Sequence, residues 1–283
     1  MNKCRKVQIL CKEDKYDENA GMSNSESLPD VVIELRDDIG AKTIAHCAWR
    51  IRTFVERDTY AEYDYDAGLR RSPCDVVREF HIEAINSVMR ARSSRKAWQG
   101  IVGLPLPELD RIGPELDLID VNDSECRAAN DALAEIVARF TAIAGLTEMG
   151  VSKVLHLLRP RFVAIADSYV RDCLGISRSN PADTLLRVQG AIRDLGQSNR
   201  EALTVLQEFA ASLSPATPQR GRFAGHPIPV VLSRVRILDI LLWTENAIHG
   251  PTPHADWSRW HSSEILGRTT AKTELVRRPQ VTA

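Results

Sequence analysis

From residue 41 onward, apolar residues three and four positions apart recur through most of this 283-residue chain, the period of helices that bury one face. In 41–56 the stripe is Ile44, Ala48, Ile51 and Val55. Ser72 and Pro73 suit an N-cap and first helical position, ahead of Val77, Phe80, Ala84, Ile85, Val88 and Met89. Ser124 can cap a longer helix in which Ala129, Leu133, Ile136, Val137, Phe140, Ile143 and Ala144 keep the period until Gly145 stops it. A shorter helix over 148–158 closes at Arg159-Pro160, because the residue before proline avoids the helical region. Residues 162–166 read as an extended apolar link, and Asp167 opens a short helix reaching Gly175. Further helices are expected over 181–195, over 198–213 behind a capping box at Ser198 and Glu201, and over 230–247, where Val231, Val235, Leu238, Leu242 and Trp243 face inward. The β-branched run Val31–Leu35 is the strand candidate. The fold class that follows is mainly α, with at most a minor strand near the N-terminus.

Length allows one large or two modest domains. Residues 1–28 hold little to bury and read as a mobile arm, 29–250 as one helical domain, and 251–283 as a loose tail. The Pro- and acid-rich stretch 104–123 is a candidate internal boundary or protein-partner segment, and 214–229 a linker. Lys plus Arg is 37 against Asp plus Glu 38, which excludes a uniformly basic nucleic-acid coat and confines any such role to a patch. With 43% hydrophobic and 27% charged residues, the composition excludes collagen, coiled coil and wholesale disorder. The longest apolar candidate, 230–247, carries Arg234, Arg236, Asp239 and Glu245, so no membrane span is expected. Val7–Leu10 is too short for a signal segment, and the chain reads as cytoplasmic.

The six cysteines include no Cys-x-x-Cys pair, which argues for buried free thiols over a zinc or iron–sulfur site. Cys74 with His81, or His46 with Cys47, lacks a second ligand pair, so no metal and no cofactor are expected. Tyr63-Asp64-Tyr65-Asp66, with Glu56, Asp58 and Glu62 nearby, could hold a cation, although a solvated loop is the simpler reading because no alternating oxygen-ligand pattern is present. Walker, dinucleotide-binding, nucleophile-elbow and His-Glu-x-x-His motifs are absent from the sequence.

The informative stretch is 143–171: a helix end, a glycine turn at Gly145-Leu146-Thr147, a helix, an extended link and Asp167 at a helix start. It resembles the helix-hairpin-helix and glycine/proline–aspartate core of base-excision DNA glycosylases, with the core spanning about 40–250. Aligned without a gap, Gly145-Leu146-Thr147 falls on the family's Gly-Val-Gly, with Thr147 for the second glycine and Ala144 for the usual proline. Met149 falls where bifunctional members keep a nucleophilic lysine, and Asp167, eighteen residues later, falls on the catalytic aspartate. The runs Ser152–Arg161 and Leu238–Trp243 also resemble an uncharacterised bacterial family of glycosylase-like helical proteins.

The resemblance implies binding of double-stranded DNA and monofunctional base excision with Asp167 as the acid/base residue. Met149 excludes a Schiff-base nucleophile at that position, and Lys153 lies one helical turn, about 6 Å, further along. A glycine turn ahead of a helix leaves backbone N–H groups for a phosphate, which makes Gly145, Leu146, Thr147 and Gly150 the expected contacts. Lys153, Arg159 and Arg161 add charge, and Arg90, Arg92, Arg95 and Lys96 form a second patch. Tyr169 and Trp98, or the cluster Tyr60, Tyr63 and Tyr65, could stack on a base. Two plainer readings stay open: Asp167 as a helix cap alone, and the hairpin as a tight turn in an inert helical scaffold whose partner meets 104–123 or the tail.

Overall fold

The β-branched run at 31–35 starts the first element of the computed structural model, which describes residues 28–29, 31–37, 40–56, 63–65, 75–88, 95–213, 217 and 225–251. Strand β1 (Ile33–Asp37) pairs antiparallel with β2 (Gly40–Ile44), with Ile33 opposite Ile44. The helix expected from residue 41 therefore begins only at α1 (Cys47–Glu56). Ile44 satisfies both periods, and pairing with β1 buries it completely. The arm 1–27, the tail 252–283, most of 214–224, and Tyr60, Cys74, Arg90 and Arg92 lie outside the described residues.

The remaining described residues are mainly α-helical. They form α2 (Glu79–Val88), α3 (Arg95–Gln99), a 3₁₀ turn (Pro107–Arg111), α4 (Asp123–Thr141), α5 (Glu148–Leu158), α6 (Ser168–Cys173), α7 (Pro181–Ser198), α8 (Arg200–Ser212) and α9 (Arg234–His249). The caps sit slightly off their expected places. Asn122, rather than Ser124, caps α4 by accepting from Ser124 N and Glu125 N, both at 3.0 Å. The expected capping box at Ser198 does not form, because α7 runs through Ser198. Asn199 turns instead to β1, accepting from Glu34 N at 3.0 Å and donating to Glu34 O at 3.1 Å. Gly196 lies where a Cβ would stand 2.5 Å from Ile119 Cγ1, so the close approach of α7 to the 115–121 segment requires glycine there.

Helix α9 is buried on nearly every side, with α1, α6, α7 and α8 packed around it. A helix enclosed in this way needs internal partners for its polar residues. Helix α4 packs on α7, α5 and the 3₁₀ turn, while α5 packs on α2 and α7. No helix among the described residues is long and apolar enough to cross a membrane.

The acid-rich stretch 104–123 is docked on the body of the molecule. Leu106, Leu109, Ile112, Leu118 and Ile119 are buried, and Leu118 N donates to Arg161 O at 3.1 Å. Its carboxylates meet arginines from four helices. Glu108 pairs with Arg139, Asp117 and Asp120 with Arg234, Asp120 with Arg200, and Asp123 with Arg193. The charge that marked this stretch as a partner-binding segment is largely spent within the chain.

Candidate functional site

Gly145 has a φ of +94°, the left-handed conformation that lets the chain leave α4 and re-enter α5 in a few residues. Thr147 caps α5 by accepting from Gly150 N at 3.3 Å, which removes one of the N–H groups expected to meet a phosphate. Leu146 and Gly150 are buried, and so is Glu148, whose carboxylate pairs with Arg178 at 2.9 Å. A negative charge already occupies the positive end of α5. Of the four hairpin residues expected to contact DNA, Gly145 is exposed, Thr147 is half-buried and engaged as a cap, and Leu146 and Gly150 are buried.

The cations assigned to phosphate are also placed differently. Lys153 and Arg159 lie inside, their side chains 3% and 2% exposed. Arg159 donates to the carbonyls of Ile112, Leu109 and Leu158 and to Asp75, fastening the 3₁₀ turn to the end of α5. Arg161 is exposed, but it pairs with Glu115 at 2.7 Å and with Asp117 at 3.6 Å. Lys96 is exposed on α3, whereas Arg92 and the side chain of Arg95 lie outside the described residues. Trp98 is fully enclosed in the core and is no stacking platform. Tyr169 is half-buried and meets Trp243 edge-on, with ring centroids 5.6 Å apart.

Asp167 does two things at once. Its Oδ1 accepts from Tyr169 N at 3.0 Å, which caps α6, and its Oδ2 lies 3.3 Å from Lys153 Nζ. The link 162–166 produces this pairing by folding back along α5. Val163 O lies 2.6 Å from His156 Nδ1, and Ala166 N donates to Ser152 Oγ at 3.0 Å. Gln189 of α7 holds the other side, accepting from Ala164 N at 2.8 Å and donating to Phe162 O.

Behind the pair is a buried polar cluster that the sequence reading missed. Arg236 of α9 binds Asp64 through Nε at 2.6 Å and a terminal nitrogen at 3.2 Å, and also contacts Asp239. Its guanidinium stands 5.1 Å from the Phe54 ring centre and 5.5 Å from that of Tyr63. Tyr63 stacks on His156 and donates to Lys153 O at 2.8 Å. The segment Tyr63–Tyr65 is therefore not a solvated loop, and the cation that Asp64 meets is Arg236. The available signal was the placement of Arg236 and Asp239, three residues apart and of opposite sign, within the apolar run Val235–Trp243 of this helix.

Burial pushes the Asp239 carboxyl up to about 7, with Arg236 opposing the rise and the nearby Asp167 charge adding to it. Burial and the Arg236 charge push His156 down to about 3. Burial raises Asp64, again against Arg236. For Arg236 the burial effect opposes the charge, but Asp64 and Asp239 more than offset it and hold the guanidinium above its ordinary range.

A family model described as a family of unknown function (DUF6308) matches residues 105–246, half of the chain, and the chain belongs to that family. Lys153, His156, Asp167, Arg236 and Asp239 fall inside the match, and Tyr63 and Asp64 outside it. No curated protein and no solved structure matches.

Proposed function

For this member of the family we propose DNA binding by the helix-hairpin-helix arrangement, with monofunctional excision of a base at Asp167. The observation that supports this reading is the position of Asp167 at the edge of the buried ionisable cluster. Its side chain is 16% exposed, against 3% for Lys153 and 4% for both Arg236 and Asp239. A carboxylate paired with a neighbouring ammonium, with the half-buried Tyr169 and Trp243 beside it, suits stabilisation of positive charge on a sugar carbon once a base has been flipped out. Lys153 Nζ is engaged with that carboxylate and serves it electrostatically, so excision without strand cleavage is the expected chemistry. Double-stranded DNA is the substrate, with Lys96, Arg178 and Gly145 as described surface contacts and no cofactor. The protein works in the cytoplasm, where the free thiols of Cys47 and Cys126 stay reduced.

The test uses duplexes carrying alkylated, deaminated or oxidised bases, with abasic sites read by alkaline cleavage. Wild type should release a base that Asp167→Asn does not, and borohydride should trap no covalent complex. Equal signal from wild type and Asp167→Asn on every duplex would remove the catalytic assignment.

A second reading, a catalytically inert helical binding protein, is favoured by the burial of Lys153 and Arg159 and by Glu148 at the hairpin. Its partner is a protein met through the 251–283 tail. DNA affinity separates the two: phosphate contacts weaken as salt rises, and no binding near about 50 mM salt supports the inert binder.

A further inference from the structure

Among the described residues, Asp64, Asp167 and Asp239 share one buried cluster with Lys153 and Arg236, three carboxylates against two cations. An uncompensated buried charge is costly enough that such a group takes up a proton instead. The hydrogen bonds show which one. Both oxygens of Asp64 receive N–H groups of Arg236, and both oxygens of Asp167 are engaged, one by Tyr169 N and the other by Lys153. Asp239 meets Arg236 through Oδ2, while its Oδ1 is buried and has no hydrogen-bond partner among the described residues.

We propose that the cluster holds one proton, seated on Asp239 Oδ1, and that Asp239 thereby acts as a positioning residue that leaves Asp167 paired with Lys153. With Asp239 neutral, the cluster resolves into two balanced pairs, Asp64 with Arg236 and Asp167 with Lys153. Charging Asp239 sets a further negative charge near Asp167, against the balance of that pair. The raised value of Asp239, about 7, agrees with this placement. The ionisable groups that act on it are Arg236 on its own helix, Asp64 and Tyr63 from 63–65, and Asp167 at the start of α6, while Lys153 and His156 of α5 stand behind them, against Asp167 and Arg236 respectively. Arg50 of α1 is committed to Glu245, and Arg193 and Arg200 of α7 and α8 reach the acidic segment.

The consequence for Asp167 rests on the excision reading, whereas the location of the proton does not. Carbon-13 NMR of aspartate carboxyls, titrated from pH 4 to 9, tests it on the full chain without any activity. One aspartate should titrate near pH 7 in wild type, vanish from the spectrum of Asp239→Asn, and move to lower pH in Asp167→Asn. No aspartate titrating above about pH 5.5, or a raised titration that survives in Asp239→Asn and disappears in Asp64→Asn, overturns the proposal. If Asp239→Asn does not fold, the wild-type and Asp64→Asn titrations still decide. A titration near pH 7 with no duplex cleaved keeps this inference and removes the excision reading. Asp167-dependent cleavage with no raised aspartate does the reverse.

Discussion

Arg159 offers the sharpest division between a surface contact and a structural fastening. In Arg159→Met the apolar stem is retained and the guanidinium is lost. The carbonyls of Ile112 and Leu158, both in buried residues, then lose their donors from Arg159, while Leu109 O keeps the bond it accepts from Ile112 N. A buried acceptor left unsatisfied costs about 1–3 kcal/mol, so two of them set a gross loss of about 2–6 kcal/mol. Relief from burying a guanidinium offsets part of that, and Asp75, whose side chain is 43% exposed, rehydrates cheaply. The expected net destabilisation is about 3 kcal/mol. With a urea slope of about 3 kcal/mol per molar, the unfolding midpoint should fall by about 1 M. Arg159→Lys, which keeps one charge but not the planar fork, should lie between wild type and Met. A phosphate contact makes the opposite forecast, an unchanged midpoint with the salt slope of DNA affinity reduced by about 1. That pair of results would refute the fastening.

Three further outcomes follow from the same structure. The folded Asp239 carboxyl binds a proton up to about pH 7, against 3.8 for an ordinary aspartate, so its stabilising contribution is present at low pH and lost as pH rises. Relative to Asp239→Asn, wild type should lose roughly 3 kcal/mol between pH 5 and 8, read by urea unfolding at each pH. His156 has the opposite sign: at about 3 against 6.5 it stays neutral in the fold, so its contribution is present above pH 6.5 and lost on acidification. Wild type should lose roughly 3 kcal/mol relative to His156→Phe on going from pH 7.5 to 4.5, and equal slopes in the two proteins would sink this assignment. Thr147→Ala should cost about 1 kcal/mol through the lost cap on Gly150 N, and Thr147→Gly only a few tenths, measured by thermal or urea unfolding.

The helices α4, α5 and α7 were legible because their apolar stripes repeat within one segment and their ends carry local stop signals. Asp167 was legible for the same reason, as an acid after an apolar run at a helix start. Helix α9 was legible as a helix over 230–247, but its enclosure on nearly every side was not, since the partners of Arg236, Asp239 and Glu245 are out of view in the local sequence. Those partners, Asp64 and Arg50, lie 172 and 195 positions away in the chain. The pairing of Lys153 with Asp167 was hidden differently. An ungapped alignment on Met149 fixes spacing along a helix, but the pairing arises from the turn at Arg159-Pro160 that brings 162–166 back along α5.

The same long-range pairing reshapes the charge argument. A near-zero net charge is compatible with separated acidic and basic faces, but here many of the described acids and bases are interlocked. The exposed pairs that stitch 104–123 to α4, α7 and α8 are individually weak, because water and salt screen them, as for Arg111 with Glu135, whose side chains are 41% and 54% exposed. What holds the segment is therefore the burial of Leu106, Leu109, Ile112, Leu118 and Ile119, at about 1.5–3 kcal/mol for each fully buried side chain. The ion pairs mainly fix its register. Salt should thus leave the segment docked while screening its charges, so a loss of DNA affinity at high salt reports on phosphate contacts at residues such as Lys96 and Arg178 rather than on unfastening of the acidic stretch.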